Sequence, residues 1–264
     1  MQTQCNDIYE QLETWYARDN GQYLMGAARA ATQDLLDTSF GYHILQLGAT
    51  GGRPLCQLSP INHRVYCADS AQDGIGLVAD PRELPLESDS IDTIIAHHCL
   101  EFSDNPHQVL REIQRVLTPQ GQLLIIGFNP VSLLGCSARV RGVLRDPLWS
   151  KHRPLSERRL RDWLNLLSCE VLDIFRLYTL PPFGGGRFRQ LIASGDAWAA
   201  RHSLIVGGVY IVHATKQVTG MHRPRWSLRS RRDRLVSLVP KSTPVPQTRY
   251  PRRKLTKVKG NLTV

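Results

Sequence analysis

Three groups of residues in this chain have types and spacings that suit chemistry. The first is the turn Gly48-Ala49-Thr50-Gly51-Gly52, which follows the apolar run His43 to Leu47. Glycines let a backbone come close to a ligand. The second is a pair of acids, Asp69 and Asp80, each closing a short apolar stretch. Asp69 follows Gly48 by 21 positions. An acid about 20 residues after a glycine turn can accept hydrogen bonds from the hydroxyls of a ribose. The third is Ala96-His97-His98-Cys99-Leu100-Glu101-Phe102. An unperturbed imidazole titrates near neutrality, so His97 and His98 suit proton transfer. Glu101 and Phe102 follow closely enough to line the same pocket, or to make an ordinary helix-start contact.

The elements that must position these groups can be read from periodicity. Apolar runs at 43–47, 64–68, 77–79, 91–96 and 123–127 fit buried strands. Residues 105–117 carry apolar side chains at 109, 110, 113, 116 and 117, with Pro106 placed to open a helix. Ser156, Leu160, Trp163, Leu164 and Leu167 mark another helix, followed by strands at 171–178 and 208–214. Strands alternating with helices predict an α/β fold: a doubly wound, mostly parallel sheet. The late strand-loop-strand pair predicts an antiparallel edge strand. The first 40 residues read as two amphipathic helices broken near Asn20-Gly21, a helical lid that brings Trp15, Tyr16 and Tyr23 toward the site or simply packs on the sheet.

Composition narrows the class. The 264 residues are 42% hydrophobic and 21% charged, ordinary for a globular chain. No apolar run reaches the roughly 18 residues of a membrane span. The N-terminus lacks the apolar core of a secretory signal, which predicts a cytoplasmic protein. Six cysteines lie scattered without a C-x-x-C pair, so they read as reduced, buried thiols rather than metal ligands. Cys99 has no preceding proline, which speaks against a cysteine nucleophile. The net charge of +10 is concentrated at one end: residues 218–264 hold 13 Lys or Arg and one acid. That stretch, rich also in Pro, Ser and Thr, is expected to be a disordered basic tail. It could contact nucleic acid, with Trp226 and Tyr250 stacking on bases, contact an anionic surface, or aid solubility. The organisation expected is 1–40 helical lid, 41–217 catalytic domain and 218–264 tail. Gly184 to Gly186, with Arg187 and Arg189, reads as a connection rather than an anion loop.

A dinucleotide site needs G-x-G-x-x-G, and the register from Gly48 puts Thr50 at the second glycine. A ligand with adenosine but no phosphate is easier to reconcile with this turn. Two stretches then become specific. Asp80-Pro81-Arg82-Glu83-Leu84-Pro85-Leu86-Glu87-Ser88-Asp89-Ser90-Ile91-Asp92 resembles the segment between the third and fourth strands of class I methyltransferases of the type-11 domain family. Arg111 to Leu123 resembles the same family's following helix and strand, and ubiquinone-biosynthesis methyltransferases are familiar relatives. The turn Gly127-Phe128-Asn129-Pro130 is shared with an uncharacterised bacterial group.

The resemblance implies a Rossmann-like methyltransferase fold and S-adenosylmethionine (SAM) as cofactor. It implies that Gly48, Ala49, Thr50 and Gly52 pass the methionine end, that Asp69 holds the ribose, and that Asp80 with the backbone of Pro81 and Arg82 meets the adenine. Ala96, His97 and His98 would face the sulfonium and the acceptor, with His98 and Glu101 as the catalytic pair. Gln46 stands where the family has an acid, Thr50 where it has a central glycine, and the helix after Asp69 is cut to a turn. These departures predict weaker cofactor binding. The acceptor expected is a small molecule. The alternatives are a nucleic acid held by the tail, or SAM binding without catalysis. No Asp or Asn followed by Pro-Pro-aromatic occurs after the fourth strand, which argues against methylation of exocyclic base amines.

Overall fold

Burial on both faces makes β1 (His43–Gly48) the centre of the molecule: all but its first residue are buried. A computed structural model describes residues 3–49, 54–68, 75–177 and 207–217, with the backbone alone for 3–7. The chain divides into Met1–Met221 and His222–Val264, and the expected tail lies outside the described residues. So do Thr50, Gly51, Gly52, Asp69 and Gly184 to Gly186.

The first unit holds a seven-stranded sheet in the order β3-β2-β1-β4-β5-β7-β6. Its strands are β1, β2 (His63–Ala68), β3 (Leu77–Val78), β4 (Ile91–His97), β5 (Leu117–Phe128), β6 (Cys169–Leu177) and β7 (Val209–Lys216). All neighbouring pairs from β3 to β5 are parallel. The antiparallel strand expected at the edge is β7, which runs against both β5 and the outermost strand β6.

Alternate residues of the strands face two layers, and both are covered. One face packs Ile44, Ile95 and Phe128 against α1 (Thr3–Tyr16) and α2 (Asp19–Asp37). The other packs Leu45, Ile94 and Ile125 against α3 (Pro106–Val116) and α6 (Glu157–Leu166). Helix α3 begins where Asn105 accepts a hydrogen bond from the backbone N–H of Gln108 and Pro106 fills the first turn. Ser156 caps α6 in the same way through Arg159.

Three features differ from the sequence expectation. The break between the first two helices falls at Ala17-Arg18, not at Asn20-Gly21. Gly21 lies inside α2, where a Cβ would come within 2.5 Å of the Trp15 carbonyl oxygen and Tyr16 Cα. Its role is close packing of α2 on the end of α1, not helix breaking. The strand expected at 123–127 starts earlier, as β5 at Leu117: Leu117 pairs with Ile91, Gln120 takes φ 67°, and pairing resumes at Gln122 with Thr93. Two further helices, α4 (Leu133–Val143) and α5 (Pro147–Lys151), fill the stretch between β5 and α6. They were not foreseen. Ser132 and Asp146 cap them.

The connection from β2 to β3 spans residues 69–76. Parallel strands are usually joined by a dozen residues or more, so this crossover is shorter than the norm. Among the described residues no helix is long and apolar enough to cross a membrane.

Candidate active site

The sheet reverses its winding between β1 and β4, and ligands of open α/β sheets bind beyond the strand ends at such a point. Gly48, the last residue of β1, pairs there with His97, the last of β4. Gly48 has φ 90°, and a Cβ on it would meet the His97 carbonyl oxygen at 2.2 Å. No other residue type fits this position.

The next residue, Ala49, is held on every polar atom. Its N–H donates to the His97 carbonyl (2.9 Å). Its own carbonyl accepts from His97 Nδ1 at 2.6 Å and from Gln46 Nε2 at 2.9 Å. The Tyr66 hydroxyl donates to the Gly48 carbonyl at 2.8 Å. Gln46 also accepts from the Cys56 N–H at 3.0 Å, so its wholly buried amide bridges both ends of the loop. A carboxylate at 46 would lose the donor to Ala49 and set charge against a carbonyl. Glutamine is therefore the residue that this local network selects.

Since Ala49 O can only accept, Nδ1 of His97 carries the proton. Burial holds the His97 pKa well below its ordinary value, and the neighbouring His98 adds to this. His97 is thus a neutral imidazole that fixes the loop. A folded-state pKa below the unfolded one means that stability is complete above about pH 6.5 and is lost as pH falls beneath it. We expect urea midpoints to fall between about pH 7 and pH 5, by up to about 1.4 kcal/mol per unit from this group. His97→Gln flattens that slope. An unchanged slope in the variant would contradict the assignment.

His98 has φ 56°. Non-glycine residues with positive φ are uncommon, and they collect where a side chain must be aimed. Its Nδ1 lies 2.8 Å from Glu101 Oε2, and both side chains are buried. The other Glu101 oxygen accepts from the Phe128 N–H at 2.6 Å. His152 Nε2 stands 3.7 Å from it, too far for a hydrogen bond but close enough to favour the charge. Burial alone would raise the Glu101 pKa. The His152 and His98 contacts outweigh it and hold the pKa below the ordinary value. With an ionised carboxylate at Nδ1, Nε2 is the accepting end of the His98 ring.

That end meets Tyr16 from α1. The Tyr16 hydroxyl is 2.6 Å from His98 Nε2 and 3.3 Å from His97 Nε2. Burial, then the Glu101 charge, pushes the Tyr16 pKa well up, so the phenol keeps its proton and donates it. Phe128 stacks on His98 with ring centroids 4.0 Å apart. Trp15 and Trp149 meet Phe128 edge-on at 5.7 Å and 5.4 Å. Outside this aromatic wall a groove of about 420 Å³ is lined by Trp15, Arg18, Arg141 and Trp149.

The Gly127 to Pro130 turn has a physical basis. Gly127 faces Tyr210, whose hydroxyl would lie 2.5 Å from an added Cβ. Phe128 feeds Glu101, and the Asn129 side chain ties Gly207 to Val131. Tyr16, Gln46, Phe128 and His152 are the site residues whose roles were missed. Tyr16 is expected from the sequence in a helical lid near the site or packed on the sheet, but its contact with His98 is not.

The remaining expected residues are more scattered. Ala96 is wholly buried, its backbone paired with β1 and β5. Asp80 is bound by Arg82 through a bidentate pair and the Arg82 N–H, and Arg82 keeps its pKa below the ordinary carboxylate value. Gln108 in turn donates to the Arg82 carbonyl. The Asp80-Pro81-Arg82 turn is thereby fixed from within. Burial raises the Cys99 thiol to about 12, as an inert core cysteine requires. No cluster suited to a metal occurs among the described residues.

Comparison with known proteins points the same way as the resemblance. Residues 45–125 match the model of the methyltransferase domain, the type-11 family. An uncharacterised protein of Escherichia coli K12, YafS, is 35% identical over 142 residues, covering 54% of this chain and 58% of the relative. A demethylmenaquinone methyltransferase of Chlamydia pneumoniae is 25% identical over 142 residues, covering 48% and 62%. The chain thus spans about six-tenths of the length of these curated relatives. A SAM-dependent methyltransferase from Thermotoga maritima superposes with a TM-score of 0.62 at 18% identity, covering 82% of this chain and all of that one. It shows that the fold around the methyltransferase domain is the Rossmann-like one.

Proposed function

We propose that the protein is a SAM-dependent methyltransferase whose acceptor gives up a proton to His98. One observation carries this reading: a buried carboxylate, Glu101, orients His98 through Nδ1 and sets Nε2 against the Tyr16 hydroxyl at the end of the sheet. SAM, when bound, would supply an electrophilic methyl group that passes from its sulfonium to the acceptor nucleophile, the bonding pair staying on sulfur. The acceptor takes the place of the Tyr16 hydroxyl at His98 Nε2, and that nitrogen takes the proton the nucleophile releases. Glu101 stabilises the imidazolium formed, without itself accepting that proton. The main work of the protein is alignment and exclusion of water.

The glycine turn supports the cofactor reading. Gly48 and Ala49 fix the chain at the switch point, and Thr50 and Gly52 are the residues for the methionine end. Asp69 is the residue for the ribose hydroxyls. The Asp80 turn, with Pro81 and Arg82, is the adenine side, and His97 and Ala96 close the strand end. The acceptor is a small molecule with an O–H or N–H that must be deprotonated, and the setting is cytoplasmic.

Calorimetry with SAM and S-adenosylhomocysteine tests the first half, and binding of both is expected. No heat with either at millimolar concentration would remove the reading. Methyl-labelled SAM incubated with fractionated small-molecule extract tests the second half. Label should pass to one fraction with the native protein and not with His98→Asn. Equal transfer by both would leave methyl transfer standing and remove His98 as the base.

A further inference from the structure

Helix α4 is built inside out. The two of its residues that are buried are small, Gly135 and Ala138. A Cβ on Gly135 would stand 2.2 Å from the Asn129 carbonyl oxygen, and one on Gly142 2.7 Å from that of Trp149. Small residues therefore clamp the helix tightly to the body. Leu134 packs partly buried against the core, but the other large apolar side chains face the other way: Leu133 is 54% exposed, Val140 60%, Val143 81% and the capping Leu144 75%. At about 100° per residue these four fall within one arc about 100° wide. Arg139 and Arg141 lie on its two flanks, and Arg145 follows the helix. Val131 to Arg145 contains no acid. Single exposed apolar residues need no explanation, but a contiguous arc does.

We propose that this face of α4 docks on an anionic lipid surface. The arc supplies apolar area to enter the interface, and the arginines lie where phosphates would meet them while their stems follow the apolar side chains. A second copy is the poorer occupant, since a two-fold contact would oppose arginine to arginine. Nucleic acid would leave the apolar arc unburied. This docking is independent of the methyl-transfer reading.

The test is co-sedimentation of the full chain with vesicles of phosphatidylcholine alone or mixed with phosphatidylglycerol, at low and high salt. Binding to the mixed vesicles is expected, with a part that survives high salt because it is apolar. Val140→Glu combined with Val143→Glu should weaken it roughly tenfold or more. Both positions are exposed, so an unchanged melting temperature will confirm that folding is intact. Three results would overturn the proposal. One is no binding to the mixed vesicles. Another is binding that vanishes at high salt and is indifferent to the two substitutions, which assigns it to basic residues elsewhere. The third is equal binding to both vesicle types.

Discussion

His98→Asn should lower kcat by roughly 10²–10⁴-fold while leaving SAM affinity within a factor of about two. Asparagine is chosen because it tolerates the positive φ at this position. It is too short to present a proton acceptor where Nε2 stands, 2.6 Å from the Tyr16 hydroxyl. The Ala49 carbonyl, at the start of the proposed cofactor loop, is held by His97 and Gln46, not by His98. Binding and turnover should therefore separate. Glu101→Gln should follow with a smaller loss in kcat. One amide face can still accept from Phe128, but the other presents a donor to Nδ1 and disfavours the productive tautomer. Steady-state rates on the labelled acceptor, paired with calorimetry, provide the measure. A fall in kcat below tenfold in His98→Asn would deny it the role of base.

Gly48→Ala should abolish cofactor binding and destabilise the fold by about 3 kcal/mol or more. Two costs combine. The backbone at φ 90° is one that side-chain-bearing residues rarely adopt, and the new Cβ would overlap the His97 carbonyl at 2.2 Å. That oxygen belongs to a central strand and has no room to retreat. The alternative is to move Ala49, which breaks the bonds from His97 and Gln46 that hold it. Thermal melts and SAM calorimetry read the two consequences. A variant that melts like the native protein and still binds SAM would show that the loop has more freedom than this geometry allows.

The sheet was legible because its strands are continuous apolar runs, buried on both faces, punctuated by glycine and acid. Helix α3 was legible because its apolar side chains repeat at three and four and its cap is local. Helices α4 and α5 were not, since α4 puts small residues inward and large ones outward, the reverse of the pattern that marks a packed helix. The Gly21 reading failed for a related reason: glycine serves close packing as readily as it breaks a helix, and only the neighbouring Trp15 carbonyl tells them apart. His98 and Glu101 could be picked out as residue types near a strand end. Tyr16, 82 positions earlier, could not be joined to them, because that contact exists only once α1 lies on the sheet. Gln46 looked like a defect against the family pattern, and its two hydrogen bonds show what it does instead.

Glu101 joins three stretches of chain: its own loop after β4, the end of β5 through Phe128, and His152-Arg153 beyond α5, where the Arg153 N–H donates to the Glu101 carbonyl. The group that would tune the reaction is also the rivet of the enclosure. Loosening the walls and silencing the chemistry would then be one event, so heat or acid should switch the protein off sharply, without a partly active, partly opened form in between.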